Sequence, residues 1–318
     1  MTRTTIQETL EKTGILVIDG SMSTALEQLG CDLNDSLWTA TALDRQPELV
    51  EKVHENYFAA GADCGITCSY QATIPGLMAK GHTLAEAEGL ITRSVELFLE
   101  ARERWWQRSG REEGRAWPLC LAGIGPYGAY LADGSEYRGN YGVGDDVLRD
   151  FHRRRMELLW QAGADVLLIE TQPSLAEARI ELSIAEELGA EAWVSFSCRD
   201  GSHINEGDRI RDCAAELEKR YPHLRMIGVN CTPPQFVEHL IGELKAGCGL
   251  PVAVYPNSGE TYDPSTKTWH GSRDGLAFGD YARRWMRAGA SAVGGCCRTV
   301  DSHVREVVKA RELYRKLG

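Results

Sequence analysis

The sequence predicts an α/β fold, a (β/α)8 TIM barrel formed as a single domain over residues 1–318, on three observations. Eight short apolar runs bounded by turn residues recur along the chain, helical patterns separate them, and three of the helices end on a repeated Ala-Gly-Ala signature. Near-continuous runs rich in Val and Ile are how parallel strands covered on both faces read. Eight strand–helix units in roughly 250 or more residues is the usual size of the barrel. The competing reading of the pattern is an open doubly wound sheet.

The runs are Ile15–Gly20, Cys64–Tyr70, Leu119–Gly125, Asp165–Thr171, Ala192–Cys198, Met226–Cys231, Pro251–Asn257 and Ala292–Cys297. After the first, Pro47–Ala60 places Leu49, Val50, Val53, Tyr57 and Phe58 at helical spacing behind a proline suited to a first turn. The same reasoning gives helices over Leu84–Arg108, Asp145–Ala162, Ser174–Leu188, Asp208–Arg220, Pro234–Ala246, Gly275–Ala288 and Asp301–Leu317. Gly61, Gly163 and Gly289 supply the left-handed caps that turn three of these helices into the next strand. Two connections are long. Pro126–Gly144 follows the third strand and carries four Tyr and several acidic groups; Ser258–Arg273 follows the seventh. Long polar-aromatic loops after barrel strands are expected to wall an active site.

Composition excludes several functions. With 35 basic and 46 acidic residues the formal net charge is −11, which argues against a large nucleic-acid or anionic-membrane surface. The clusters Arg153-Arg154-Arg155 and Arg283-Arg284 fall inside helical patterns and read as solvated faces. The polar opening MTRTTIQETLEKTG lacks the apolar core of a signal peptide, and no apolar run approaches the ~20 residues of a bilayer span. A cytoplasmic protein is expected, and there ten cysteines are free thiols or metal ligands rather than a disulfide framework.

In a barrel, side chains at the C-terminal strand ends converge on one mouth. Those ends carry Asp19, Glu170, Asn230, Cys231, Cys296 and Cys297. Three soft thiolates select a thiophilic metal, Zn²⁺ above all, and leave a fourth tetrahedral position open as in a catalytic site. Gly294-Gly295 lets the backbone bend so that adjacent thiols reach one ion. A redox pair or small apolar fillers are the competing readings of Cys296-Cys297, and a glycine phosphate cradle is another for the strand end. Cys64 and Cys68 read as core thiols on one face of the second strand; Cys31, Cys120, Cys198, Cys213 and Cys248 have no local metal partner. No histidine sits at a strand end, although His203 and His270 lie on mouth loops.

Zn²⁺ with three thiolates carries net −1, a poor activator of water but suited to binding a further thiol. A cationic electrophile, a sulfonium or quaternary ammonium, fits such a site, and Tyr70, Tyr127, Tyr130 and Trp38 are placed to hold it by cation–π contacts. Asp19 and Glu170 suit the ammonium of an amino acid.

These motifs resemble the zinc-dependent homocysteine S-methyltransferase family. The resemblance rests on GVNC closing the sixth strand, GGCCRT at the eighth, DG at the first and ET at the fourth. It extends over residues 13–315. Asn34–Trp38, Thr67–Thr73, Gly125–Gly139 and Tyr255–Asp263 resemble the branch that uses S-methylmethionine. The resemblance implies zinc on Cys231, Cys296 and Cys297, with the homocysteine sulfur as fourth ligand. It implies homocysteine's amino-acid end near Asp19 and Glu170, and Asn230, Tyr70 and Tyr127 in the same mouth. No catalytic side chain is expected beyond the metal-bound substrate thiolate. The partners are small molecules, homocysteine and a sulfonium donor (S-methylmethionine or S-adenosylmethionine), with methionine as product. Thr171 stands where the betaine-using branch has Tyr, and the chain lacks that branch's long extension after the last helix; both weaken a betaine reading.

Overall fold

A computed structural model of the chain describes residues 3–33, 37–258, 261–263, 265–266, 268–270 and 276–317. The strands are β1 (Leu16–Val17), β2 (Cys64–Ile66), β3 (Leu119–Ile124), β4 (Val166–Gln172), β5 (Ala192–Phe196), β6 (Leu224–Asn230), β7 (Val252–Tyr255), β8 (Thr261–Asp263), β9 (Thr268–His270) and β10 (Ala292–Val293). The helices are α1 (Ile6–Thr13), α2 (Met22–Gln28), α3 (Ala40–Arg45), α4 (Pro47–Ala60), α5 (Ile74–Ala79), α6 (Leu84–Trp105), α7 (Tyr127–Leu131), α8 (Asp145–Gln161), α9 (Leu175–Glu187), α10 (Ile210–Arg220), α11 (Pro234–Gly247), α12 (Phe278–Ala288) and α13 (Asp301–Leu317).

Eight parallel strands pair in the order β1-β10-β7-β6-β5-β4-β3-β2, and an Ile18–Cys64 bridge joins the two ends. The sheet therefore closes as the expected (β/α)8 barrel, and β8 and β9 form a separate antiparallel hairpin in the loop after β7. Alternation along the strands divides the core. Leu16, Ile18, Leu121, Leu168, Trp193, Met226 and Tyr255 fill the barrel; their strand neighbours, such as Val17, Leu167 and Val194, meet the helix layer. The glycine caps hold: Gly61, Gly163 and Gly289 have φ of 115°, 107° and 108°.

Sequence periodicity missed α1. Its eight residues expose polar groups, but a Thr5–Glu8 capping box starts it, and Ile6 and Leu10 join the interior cluster at the N-terminal end of the barrel.

Three expectations are corrected. The first and eighth apolar runs yield only two strand residues each, because beyond them the chain already turns into the mouth: Gly295 N–H donates to Asp19 O (3.3 Å) and Cys296 N–H to Pro256 O (2.8 Å). Cys64 and Cys68 do not share a strand face. β2 ends at Ile66, leaving Cys64 in the barrel interior while Cys68 donates to Thr39 O (3.3 Å). Arg155 is not part of a solvated face. Arg153 and Arg154 pair with Glu187, Glu88 and Glu157 at the surface, whereas Arg155 turns inward and is 1% exposed.

Candidate metal centre

The strand ends bring the three predicted thiols together. The Sγ atoms of Cys231 and Cys297 are 3.8 Å apart and those of Cys296 and Cys297 3.9 Å, with all three within 4.8 Å of one another. Four sulfurs at about 2.3 Å around a tetrahedral ion would stand roughly 3.8 Å apart, so the trio has the spacing of three tetrahedral vertices. It is the one group of three potential metal ligands among the described residues. All three are free thiols, as are the other seven cysteines.

The backbone around them is specialised. A Cβ on Gly294 would lie 2.5 Å from Ile18 Cβ, and one on Gly295 would lie 2.4 Å from Thr299 Oγ1, so only glycine lets this strand end approach β1 and the following turn. Cys231 has φ 45° and Thr171 φ 57°, both in the left-handed region that side chains rarely adopt. Asn230 fixes Thr171: the Thr171 N–H donates to Asn230 Oδ1 (2.8 Å), and Asn230 Nδ2 donates to Thr171 Oγ1 (2.7 Å). Asn230, fully buried, thus spends its amide on the neighbouring strand end. The Thr171 side chain in turn bonds the Tyr70 and Cys231 side chains. With hydrogen bonds from Cys296, Cys297 and Tyr137, Cys231 is held well below the usual thiol range; the thiolate it keeps pushes the other two thiols up.

Beside the thiols lie the two predicted carboxylates. Asp19 is 2% exposed and Glu170 5%. Asp19 Oδ2 accepts the Ile66 N–H (2.9 Å), while Oδ1 is buried without a partner. The Tyr255 hydroxyl donates to Glu170 Oε2 (3.4 Å). Burial pushes the Asp19 carboxyl up to about 8, and burial together with Cys231 and Asp19 pushes Glu170 well above its ordinary range. Room for them is made by glycine, since a Cβ at Gly123 would sit 2.7 Å from Glu170 Oε1 and one at Gly65 3.0 Å from Asp19 Oδ2. Two acidic groups forced together with no cationic partner among the described residues are suited to a ligand that carries one.

A cavity of about 720 Å³ opens over this floor, lined by Glu170, the three thiols, Tyr70, Trp38, Thr67 and Thr171 among others. The loop after β3 forms one wall, contributing Ala132, Gly134, Glu136 and Tyr137. Tyr127 and Tyr130 are not brought to the cavity. They stack with Tyr141 and Phe151 behind the loop, with Tyr127–Phe151 centroids 5.0 Å apart, because α7 turns that face onto α8. His203 is held by Asp200 at 3.1 Å. The side chain of His270, Asn34–Ser36 and much of the loop after β7 lie outside the described residues.

Sequence reasoning missed Glu136 and Tyr137. Both sit in a single turn (Ser135–Tyr137), and the acidic and aromatic content of their loop was the available signal. It also missed a buried web that ties the loop down. Arg155 donates to Gly125 O (2.7 Å) and Tyr70 O (3.5 Å); His152 Nε2 meets Glu177 Oε1 (2.8 Å); Glu177 also accepts the Tyr127 N–H (2.6 Å) and the Tyr141 hydroxyl (2.9 Å). Burial lowers the His152 pKa.

Comparison with known proteins agrees with this architecture. The family model described as homocysteine S-methyltransferase matches residues 16–311. The homocysteine S-methyltransferase YbgG of Bacillus subtilis is 49% identical over 303 residues, covering 95% of this chain and 96% of that one. The Escherichia coli homocysteine S-methyltransferase is 45% identical, covering 95% and 96%. A selenocysteine Se-methyltransferase of Brassica oleracea is 41% identical, covering 98% and 93%. The metallated form of the E. coli homocysteine methyltransferase MmuM superposes with a TM-score of 0.83 at 40% identity, covering 94% of this chain and 96% of that one.

Proposed function

The chain belongs to the homocysteine S-methyltransferase family and is a methyltransferase acting on homocysteine, and from that premise we propose how the cavity performs the transfer: Zn²⁺ on Cys231, Cys296 and Cys297, homocysteine on Asp19 and Glu170, and S-methylmethionine as donor. One observation carries the reading. Three thiols at tetrahedral spacing lie beside two buried carboxylates, of which Glu170 lines the cavity with them, and neither carboxylate has a cationic partner among the described residues.

When bound, the metal supplies a site where the homocysteine thiol loses its proton and stays nucleophilic at neutral pH, where a free thiol of pKa about 8.5 is mostly protonated. Asp19 and Glu170 accept hydrogen bonds from the homocysteine ammonium, aiming its sulfur toward the thiol trio. Tyr255 orients Glu170, and Asn230, through Thr171, holds Tyr70 and Cys231 in place. Tyr70 and Trp38 offer π faces to the cationic donor. The homocysteine sulfur then attacks the donor's methyl carbon in line. The methyl–sulfur bond breaks with its electron pair left on the donor sulfur, and a neutral thioether departs without a general acid. With S-methylmethionine both products are methionine. Much of the acceleration comes from holding two amino acids in register. S-Adenosylmethionine is the second sulfonium that this chemistry accommodates.

The test is a methionine-formation assay with homocysteine against S-methylmethionine, S-adenosylmethionine and betaine, with and without a zinc chelator. Sulfonium-dependent activity abolished by chelation and restored by Zn²⁺ supports the proposal. Turnover of betaine but not of either sulfonium refutes the donor assignment.

A further inference from the structure

Among the described residues that line the cavity, Glu136 is the one carboxylate with a buried oxygen that has no hydrogen-bond partner. Its backbone is fixed from several sides. The Arg138 and Gly139 N–H groups close the turn onto Ser135 O (3.0 and 2.9 Å), and Ser197 Oγ donates to Glu136 O (3.3 Å). Gly128 lies so close that a Cβ there would approach Glu136 N to 2.5 Å. The side chain is thereby held into the cavity, where Oε2 is buried and accepts no hydrogen bond. The charged or titratable groups that act on it or feel it are Asp133, Cys231 and Tyr70; Arg298, the cation among the residues that line the cavity, is not one of them. Burial pushes its carboxyl up to about 7.

A buried carboxylate oxygen without a donor is costly, and costlier beside Asp133 and Cys231. A ligand cation offsets that cost. A sulfonium has no N–H to give, so an acceptor left without a hydrogen bond calls for an ammonium. The homocysteine ammonium already has Asp19 and Glu170. The ammonium left over in the reaction is that of the donor.

We propose that Glu136 receives the α-ammonium of the methyl donor and selects amino-acid sulfoniums over cations that lack N–H groups. This rests on the methyl-transfer reading above and adds to it the residue that reads the donor.

The test compares wild-type and Glu136→Gln holoenzyme with two donors, S-methylmethionine and 4-(dimethylsulfonio)butanoate, the same chain without the amino group. The wild-type preference for S-methylmethionine in kcat/KM falls at least tenfold in Glu136→Gln, mostly through KM. Calorimetry shows homocysteine affinity within twofold of wild type, which also establishes that the variant is folded. Glu136→Asp, with the charge one methylene short, keeps more of the preference than Glu136→Gln. An unchanged preference, or equal losses in the Asp and Gln variants, overturns the assignment. Wild-type enzyme that forms methionine from neither sulfonium overturns the underlying reading instead.

Discussion

Cys231 Sγ and Cys297 Sγ stand 3.8 Å apart across the barrel mouth, although 66 residues separate them in the chain. Two strand ends on either side of β7 produce this approach, and no local motif does. On the proposed zinc site each thiol would supply a ligand that no other group among the described residues replaces. Cys296→Ser and Cys297→Ser are expected to purify with less than a tenth of the wild-type zinc by elemental analysis. Their methyl transfer should fall by more than the roughly 10–100-fold that loss of an outer-shell partner costs. Full zinc and full activity in either variant would refute the metal assignment.

Asp19 gives a pH dependence. Its pKa is raised in the folded protein, to about 8, so the fold keeps a proton that the unfolded chain releases near its ordinary value. Its contribution is present below the ordinary Asp range and is lost as pH rises toward 8. The groups facing it, Glu170, Tyr57 and Cys64, include no cation to reverse that sign. The protein without homocysteine should melt lower at pH 8.5 than at pH 6, and homocysteine should recover more of the melting temperature at pH 8.5. Asp19→Asn should flatten the first trend and raise the homocysteine KM by about 10–100-fold, the loss of one hydrogen bond to a charged group. An unaltered KM would remove Asp19 from the substrate site.

Asn230→Ala strands the buried Thr171 N–H and releases a left-handed threonine from its clamp. An unsatisfied buried donor costs about 1–3 kcal/mol. Adding Thr171→Gly, which adopts that backbone freely, should return part of the lost stability but not the activity, because Thr171 also bonds Tyr70 and Cys231. Additive destabilisation in chemical denaturation would show that the left-handed residue is not what Asn230 supports.

Arg155 is a buried cation whose loss would be costly. Replacing it with Met leaves Glu177 and Glu181 buried without their arginine and removes the donor to Gly125 O. Breaking a buried ion network typically costs about 3–5 kcal/mol. Because Gly125 begins the loop that carries Glu136 and Tyr137, limited proteolysis of Arg155→Met should cut within residues 126–144 before it cuts elsewhere. Uniform cleavage would argue against this anchoring role.

The barrel was legible because β/α alternation with glycine caps is a local, repeated signal, and the thiols were legible because the fold gathers strand ends by rule. Asp19 and Glu170 were found the same way. What stayed hidden depended on tertiary direction. Arg155 shares an arginine run with Arg153 and Arg154 yet points the other way, Tyr127 faces α8 rather than the cavity, and Ile6 and Leu10 gain their apolar role only by sitting under a barrel that α1 itself gives no sign of. The loop that carries Glu136 was legible as an active-site wall from its Tyr and acidic content, but which of its carboxylates faces the cavity was not; a buried oxygen without a partner distinguishes Glu136.

The helix under the barrel also sets the traffic. Ile6 and Leu10 stopper the N-terminal end, and the described cavity lies at the opposite end, among the residues of the mouth. On the proposed placement, homocysteine on the floor would enter ahead of a donor held at the wall, and the spent donor would leave before the methionine made beneath it. Turnover would then be a queue, in which methionine lingering near the mouth would block the next donor as well as the exit.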